Sequence, residues 1–345
     1  MKQKLQTIDL ILSSFNIKES MKEDLLLDIR NNFTNYIKWS KRILGFRNNM
    51  KYDQSIDVLR EEKPEFIFKL LLASLLDLKE YYEKRNIKEE VFYDTISDIF
   101  LRFKIYEKQN LSIGLTQEDV EWLLRIFDLS IFKLGSLQFE MTKFYFNNYK
   151  VKWSSNSKKI IKNGENVLSI HIMEGEDLSP GEIEKSLKYG KSFFKENFTD
   201  FEYRYFYCWS WLLYRGNQEL LGKDSNIIKF TNFFDIIGES DNPDMGIERI
   251  FGCPKEEIEL NERSTSLQKS AAQNINNLGI SAGIIKKVKF EKMIIKSPKS
   301  RHGFRRFYYH FTDPEVRPVI KNFLNIIAII AGGIIEKIPD TAIRP

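Results

Sequence analysis

The sequence predicts an α+β / α/β chain, with a helical N-terminal domain over residues 1–132 followed by a sheet flanked by helices over residues 133–288. Three observations predict it. At 345 residues and 40.9 kDa the chain exceeds one ordinary core, given a prior of roughly 150 residues per domain. Apolar residues recur at helical spacing through the first part of the chain. After Gly135 the period changes to alternation, the signature of half-buried strands.

The elements follow in order. Pro64 stands near the first turn of a helix whose apolar positions Phe66, Phe68, Leu70, Leu71, Leu75 and Leu78 cover much of its surface. Thr116 and Asp119 have the spacing of a capping box, in which each side chain takes the other's backbone amide. Behind them Val120, Leu123, Leu124, Phe127 and Ile131 form one apolar stripe. Leu137, Phe139 and Met141 alternate with Gln138 and Glu140 as a first strand, and Val167–Ile172 reads as a second. Glu202–Leu213 reads as a third strand, with Tyr203, Tyr205, Tyr207, Trp209 and Trp211 on one face. Ile227–Ile237 reads as a fourth, after a short helical stretch at Asn217–Leu221. Between the second and third strands, Ser179 as N-cap, Pro180 at the first helical position and Glu182 three residues after the cap mark a helix start. That helix presents Ile183, Leu187, Gly190, Phe194 and Phe198 on one face, which suits packing on a sheet.

Composition narrows the function. The 53 basic and 48 acidic residues leave a net charge of +5, too mild over this length to announce a nucleic-acid partner. Two cysteines, Cys208 and Cys253, cannot build a disulfide framework and fit a reducing compartment. Three histidines without Cys-x-x-Cys or His-Glu-x-x-His spacing argue against a metal site. The longest apolar run, Phe323–Ile335, contains Asn325 and is shorter than the ~20 residues of a spanning helix. Asp9 interrupts the apolar N-terminal stretch, which does not read as a signal peptide, so a cytoplasmic location is expected.

Chemistry concentrates after the second strand. The loop from Met173 to Leu178 leads into the helix at Ser179, where free amides and the positive end of the helix dipole suit a phosphate or an oxyanion. Glu174, Glu176 and Asp177 set negative charge against a phosphate there. Ser169 and His171 share one strand face, and Arg204, Cys208 and Ser210 share one face of theirs. If those faces meet, His171 can act as a base near Cys208 or Ser210; the alternative is a packed histidine beside an inert buried cysteine. The basic segment Lys296–Arg306 reads either as a solvated charged stretch or as a nucleic-acid or membrane contact.

FKLGSLQFE (Phe132–Glu140), HIMEGEDLSP (His171–Pro180) and CWSWLL (Cys208–Leu213), with DSNIIKF (Asp224–Phe230) and RSTSLQK (Arg263–Lys269) further on, preserve order and spacing over roughly 122–288. In these blocks the chain resembles bacterial acyltransferase-domain proteins that join a helical N-terminal domain to a GNAT-like C-terminal domain. The resemblance implies a GNAT-like mixed sheet and acyl transfer from a thioester donor to an amine or hydroxyl of a small-molecule acceptor. The donor it implies is acyl-CoA, or an acyl-phosphopantetheine thioester on an acyl-carrier protein, with no metal expected. The strands holding His171 and Cys208 become the splayed pair around the pantetheine arm. Gly175, Ser179 and Gly181 fall on the phosphate side, His171, Glu174, Cys208 and Ser210 become catalytic candidates, and Gln138, Glu140 and Trp211 line the substrate. The Gln/Arg-x-x-Gly-x-Gly/Ala phosphate loop of ordinary GNAT enzymes is replaced here by the acidic loop, and Met173 stands where the family tends to have proline. A catalytically silent thioester- or carrier-binding module is the alternative that this replacement motivates, and a nucleic-acid-binding protein acting through the basic tail is a third.

Overall fold

The computed structural model describes residues 1–43, 59, 62–146, 151–253, 255–260, 263 and 265–286. The basic segment and the apolar run near the C-terminus lie outside the described residues. Residues 1–289 form one compact unit.

Among the described residues five helices come first: α1 (Lys2–Ser14), α2 (Glu19–Ile43), α3 (Pro64–Lys84), α4 (Glu89–Asn110) and α5 (Gln117–Phe127). Pro64 opens α3 at N1, and the capping box at Thr116 and Asp119 opens α5. Their interior is aromatic and aliphatic; Phe68 stacks on Phe103 and meets Phe100 edge-on. Chain order then gives strands β1 (Ile131–Leu134), β2 (Leu137–Phe144), β3 (Lys152–Trp153), β4 (Glu165–His171), β5 (Tyr205–Ser210), β6 (Asp235–Ser240) and β7 (Ile280–Lys286). They form one sheet in the order β1-β2-β4-β5-β7-β6-β3, mixed because β4 and β5 run parallel and the other pairs antiparallel.

Helix α6 (Pro180–Asn197) crosses from β4 to β5, as a parallel pair requires. It lies on the sheet face that carries Phe139 and Phe206, whose rings touch, and Phe194 packs on Phe139. Gly190 permits this approach, because an added Cβ would stand 2.9 Å from the Phe139 ring. The opposite face buries Phe144, Val167, Tyr205, Ile237, Ala282 and Ile284, with Tyr207 and Trp209 partly buried at its margin. The N-terminal helices dock on the β1 side: Tyr82 of α3 packs on Phe132, and the Lys133 amide donates to Thr95 Oγ1 of α4 at 3.1 Å.

Several sequence expectations are corrected. The strand expected over 227–237 splits into helix α7 (Asn226–Thr231), capped by Ser225 accepting from the Ile227 amide, and β6. The third strand ends at Ser210, and Trp211–Leu213 continue as a 3-10 turn. β1 and β7 had no alternation to betray them; β7 is buried along both faces, which erases the period-2 signal. Ser179 is the N-cap of α6, but the reciprocal box does not form. Its hydroxyl donates to Asp177 Oδ2 at 3.0 Å, and Glu182 pairs instead with Lys185 at 2.6 Å.

Candidate active site

The parallel pair β4 and β5 is joined only through Val167–Tyr205, Leu168–Phe206 and Ser169–Tyr207. Beyond Ser169 and Tyr207 both strands continue, to His171 and to Ser210, without pairing to each other. β4 stays fastened to β2 and β5 to β7 over those residues, so the two ribbons part at their C-terminal ends. Along those ends the backbone groups that face each other across β4 and β5 are not paired strand to strand. His171 stands at the end of β4, with its side chain 28% exposed.

The imidazole is held on one side. His171 Nε2 lies 2.8 Å from Glu140 Oε2, whose other oxygen accepts from Arg125 Nε at 3.1 Å. Arg125 in turn donates through Nη1 to the Glu121 carbonyl at 2.9 Å. Burial pushes the Glu140 carboxyl upward, but the hydrogen bond and charge of His171 together with the Arg125 guanidinium outweigh it and hold the group below its ordinary range. A carboxylate on Nε2 favours the tautomer with the proton on that nitrogen and leaves the Nδ1 lone pair for proton transfer. The Trp122 indole meets the imidazole edge-on, with ring centroids 4.8 Å apart, and the Arg125 guanidinium lies 4.8 Å from the Trp122 ring centre.

The other sequence candidates scatter. Register decides their faces: side chains of paired residues point to the same side, so Ser169 and His171 share a face with Tyr205, Tyr207 and Trp209. Cys208 and Ser210 point to the opposite face, towards α6. Cys208 is 0% exposed, and burial pushes its thiol well above the ordinary range, which leaves it without nucleophile character. Ser210 Oγ accepts from the Leu212 amide and caps the 3-10 turn. Neither approaches His171. Gln138 and Glu140 are not free wall residues; Gln138 is buried and donates to Asp98 Oδ2 at 2.9 Å, and Glu140 is engaged as above. Trp211 packs into a second apolar cluster around Leu220, Ile247 and Leu278.

The loop after β4 is tied down. Glu176 pairs with Lys133 Nζ at 2.7 Å, and Glu174 is exposed. Gly175 has φ +83°, a conformation that excludes most side chains. Asp177 Oδ1 takes the Ser179 amide at 2.7 Å, so a protein carboxylate occupies a donor that a phosphate would otherwise meet. Gly181 is exposed, with nothing within 4 Å of an added Cβ. Among the described residues, no group of three or more His, Cys, Asp or Glu could hold a metal ion, and no helix is long and apolar enough to cross a membrane. A groove of about 850 Å³ lies at the paired, N-terminal ends of β4 and β5, lined by residues including Glu165, Phe198 and Arg204. It is remote from His171, and the separation of the strands is the feature that aligns with the imidazole.

Sequence reasoning missed Asp98, Trp122 and Arg125. Asp98 left a signal, because it falls among Phe92, Thr95, Ile99 and Phe103 on the buried side of α4, where a carboxylate needs partners.

A mixed sheet whose parallel strands part beside a histidine, with the connecting helix across one face, is a GNAT-like arrangement. Residues 19–129 match the N-acyltransferase N-terminal domain and residues 131–284 the GNAT-like C-terminal domain. The chain thus carries matches to both domains, in that order. Its fold is similar to that of an acyltransferase mutant crystallised with octanoyl-CoA, with a TM-score of 0.64 at 18% identity over 81% of this chain and 88% of that one. An acyltransferase in complex with decanoyl-CoA and teicoplanin gives 0.62 at 18% identity, covering 80% and 86%. An acyltransferase in complex with CoA and 10C-teicoplanin gives 0.55 at 20% identity over 65% of this chain, and the chain spans 66% of that structure's length. At these identities the likeness is one of fold. No curated protein sequence matches the chain.

Proposed function

We propose that residues 133–288 form a GNAT-like N-acyltransferase domain that moves an acyl group from acyl-CoA to an amine or hydroxyl of a small-molecule acceptor, with residues 1–132 as its helical support. The observation that carries this reading is the separation of β4 from β5 beside His171. The pantetheine arm lies in that opening, and the thioester carbonyl reaches the end of β4. The acceptor nitrogen or oxygen attacks the carbonyl carbon and its proton passes to His171 Nδ1, directly or through one water. Glu140 stabilises the imidazolium that forms. The C–S bond breaks, the CoA thiolate leaves, and it takes up a proton. Tyr207, on the same face as His171, carries a phenol that burial pushes above its ordinary range, so it stays protonated and able to donate.

The structural neighbours crystallised with octanoyl-CoA, decanoyl-CoA and teicoplanin support those donors and teicoplanin as first trials. Asp177 takes the Ser179 amide beside the pyrophosphate end of the donor, so an acyl-carrier protein with a single phosphodiester is the donor to compare with acyl-CoA. The test is thiol release from octanoyl- and decanoyl-CoA, and from the matching acyl-carriers, with and without teicoplanin or simple amines. His171→Ala in a folded protein loses at least a hundredfold in kcat; turnover near that of the parent protein sinks the assigned role.

A further inference from the structure

Asp98 is 2% exposed, yet it carries a carboxylate on the buried side of α4. Such a group is tolerated only when its oxygens are satisfied. Oδ1 accepts from Arg102 Nε at 3.0 Å, and Arg102 reaches on to Asp119 at 2.7 Å. Oδ2 accepts two donors that come from different parts of the chain, Trp122 Nε1 at 2.7 Å from α5 and Gln138 Nε2 at 2.9 Å from β2. Both lead to His171. The Trp122 indole packs edge-on against the imidazole, and Gln138 is the register partner of His171 across β2 and β4.

We propose that Asp98 and Trp122 are positioning residues for the transfer, the carboxylate pinning the indole that sets the plane of the His171 ring. The Glu140 contact restrains Nε2 but leaves the plane of the ring unset; the indole packed at 74° to it, with centroids 4.8 Å apart, fixes that plane. The helical N-terminal part is thereby a component of the catalytic apparatus as well as its support. This rests on the reading of His171 as the proton acceptor. Misplacing a base by about 1 Å is enough to cost about a hundredfold in rate.

Trp122→Phe keeps a ring beside the imidazole and deletes the N–H; Asp98→Asn keeps the shape and deletes the charge. Full-length 15N-histidine protein, with the His171 signals assigned through His171→Ala, reports the tautomer and the mobility of that ring without any acceptor. Kinetics use octanoyl-CoA with teicoplanin or a simple amine. Both variants are expected to broaden or mix the single Nε2–H pattern, and to lower kcat by about ten- to a hundredfold with KM for octanoyl-CoA within twofold. In the His171→Ala background they cost nothing further. Unchanged imidazole signals in two folded variants overturn the proposal, as do losses that multiply with that of His171→Ala. If His171→Ala turns over normally, the base assignment fails by itself, and the NMR pattern still decides whether Asp98 governs the ring.

Discussion

Glu140→Gln is the sharpest perturbation the site offers, since it changes charge with almost no change in shape. The carboxylate makes two charge-assisted contacts, 2.8 Å to His171 Nε2 and 3.1 Å to Arg125 Nε. Glutamine has one acceptor oxygen, so it can keep one of them as a neutral hydrogen bond and must turn its NH2 towards the other donor. Hydrogen bonds to charged groups are worth about 1.5–3 kcal/mol each. Losing one, weakening the other and leaving Arg125 beside an uncharged group therefore costs about 1–3 kcal/mol of stability. Catalysis suffers more, because the imidazolium loses its counter-charge and the ring loses the partner that selects its tautomer; kcat falls about a hundredfold, equal to ~2.7 kcal/mol at ~1.36 kcal/mol per decade. Glu140 has its native carboxyl held below the unfolded range by His171 and Arg125, against the upward push of burial. Its contribution to stability is thus present above the unfolded value and disappears as pH falls towards the native one, so the variant should show a flatter acid limb of stability against pH. The assay is thiol release from octanoyl-CoA, with thermal melts as the control for folding. A folded Glu140→Gln protein with kcat within threefold of the parent refutes the reasoning.

Two other outcomes follow from burial. Cys208→Ala should keep kcat within twofold and lose about 1–2 kcal/mol by denaturant titration, because the thiol is packing under α6 and takes no part in the chemistry; an acyl adduct on Cys208 found by intact mass would contradict this. Asp128 has its carboxyl pushed above the ordinary range, chiefly by burial, although the Ser130 amide donates to it at 2.8 Å. A raised native value makes its contribution largest below the unfolded value and smaller as pH climbs through the native one. Asp128→Asn should accordingly gain on the parent between acid and neutral pH, and an advantage that shrinks with rising pH in chemical denaturation would contradict that assignment.

Much of the secondary structure follows from local rules. The capping box of Thr116 and Asp119, Pro64 and Pro180 at first helical positions, and the alternation at Leu137–Met141 each concern residues a few positions apart, and backbone geometry makes such spacing binding wherever the chain goes. The same locality made His171 visible at the end of a strand, before an acidic loop and a helix start. It also placed Cys208 and Ser210 together on one face of theirs, since parity within a strand is a property of that strand alone.

Tertiary structure decided the rest. Whether Cys208 shares a face with His171 depends on the register of β4 against β5, and Ser169 opposite Tyr207 put them on opposite sides. A shift of one residue would have reversed the answer, and nothing local specifies it. Glu140, Arg125, Trp122 and Asp98 come from a strand and two helices, and their meeting around one imidazole depends on how those elements pack. Sequence spacing could name the histidine; only packing over long separations in the chain could supply the carboxylate that orients it and bury the cysteine on the other face of the sheet.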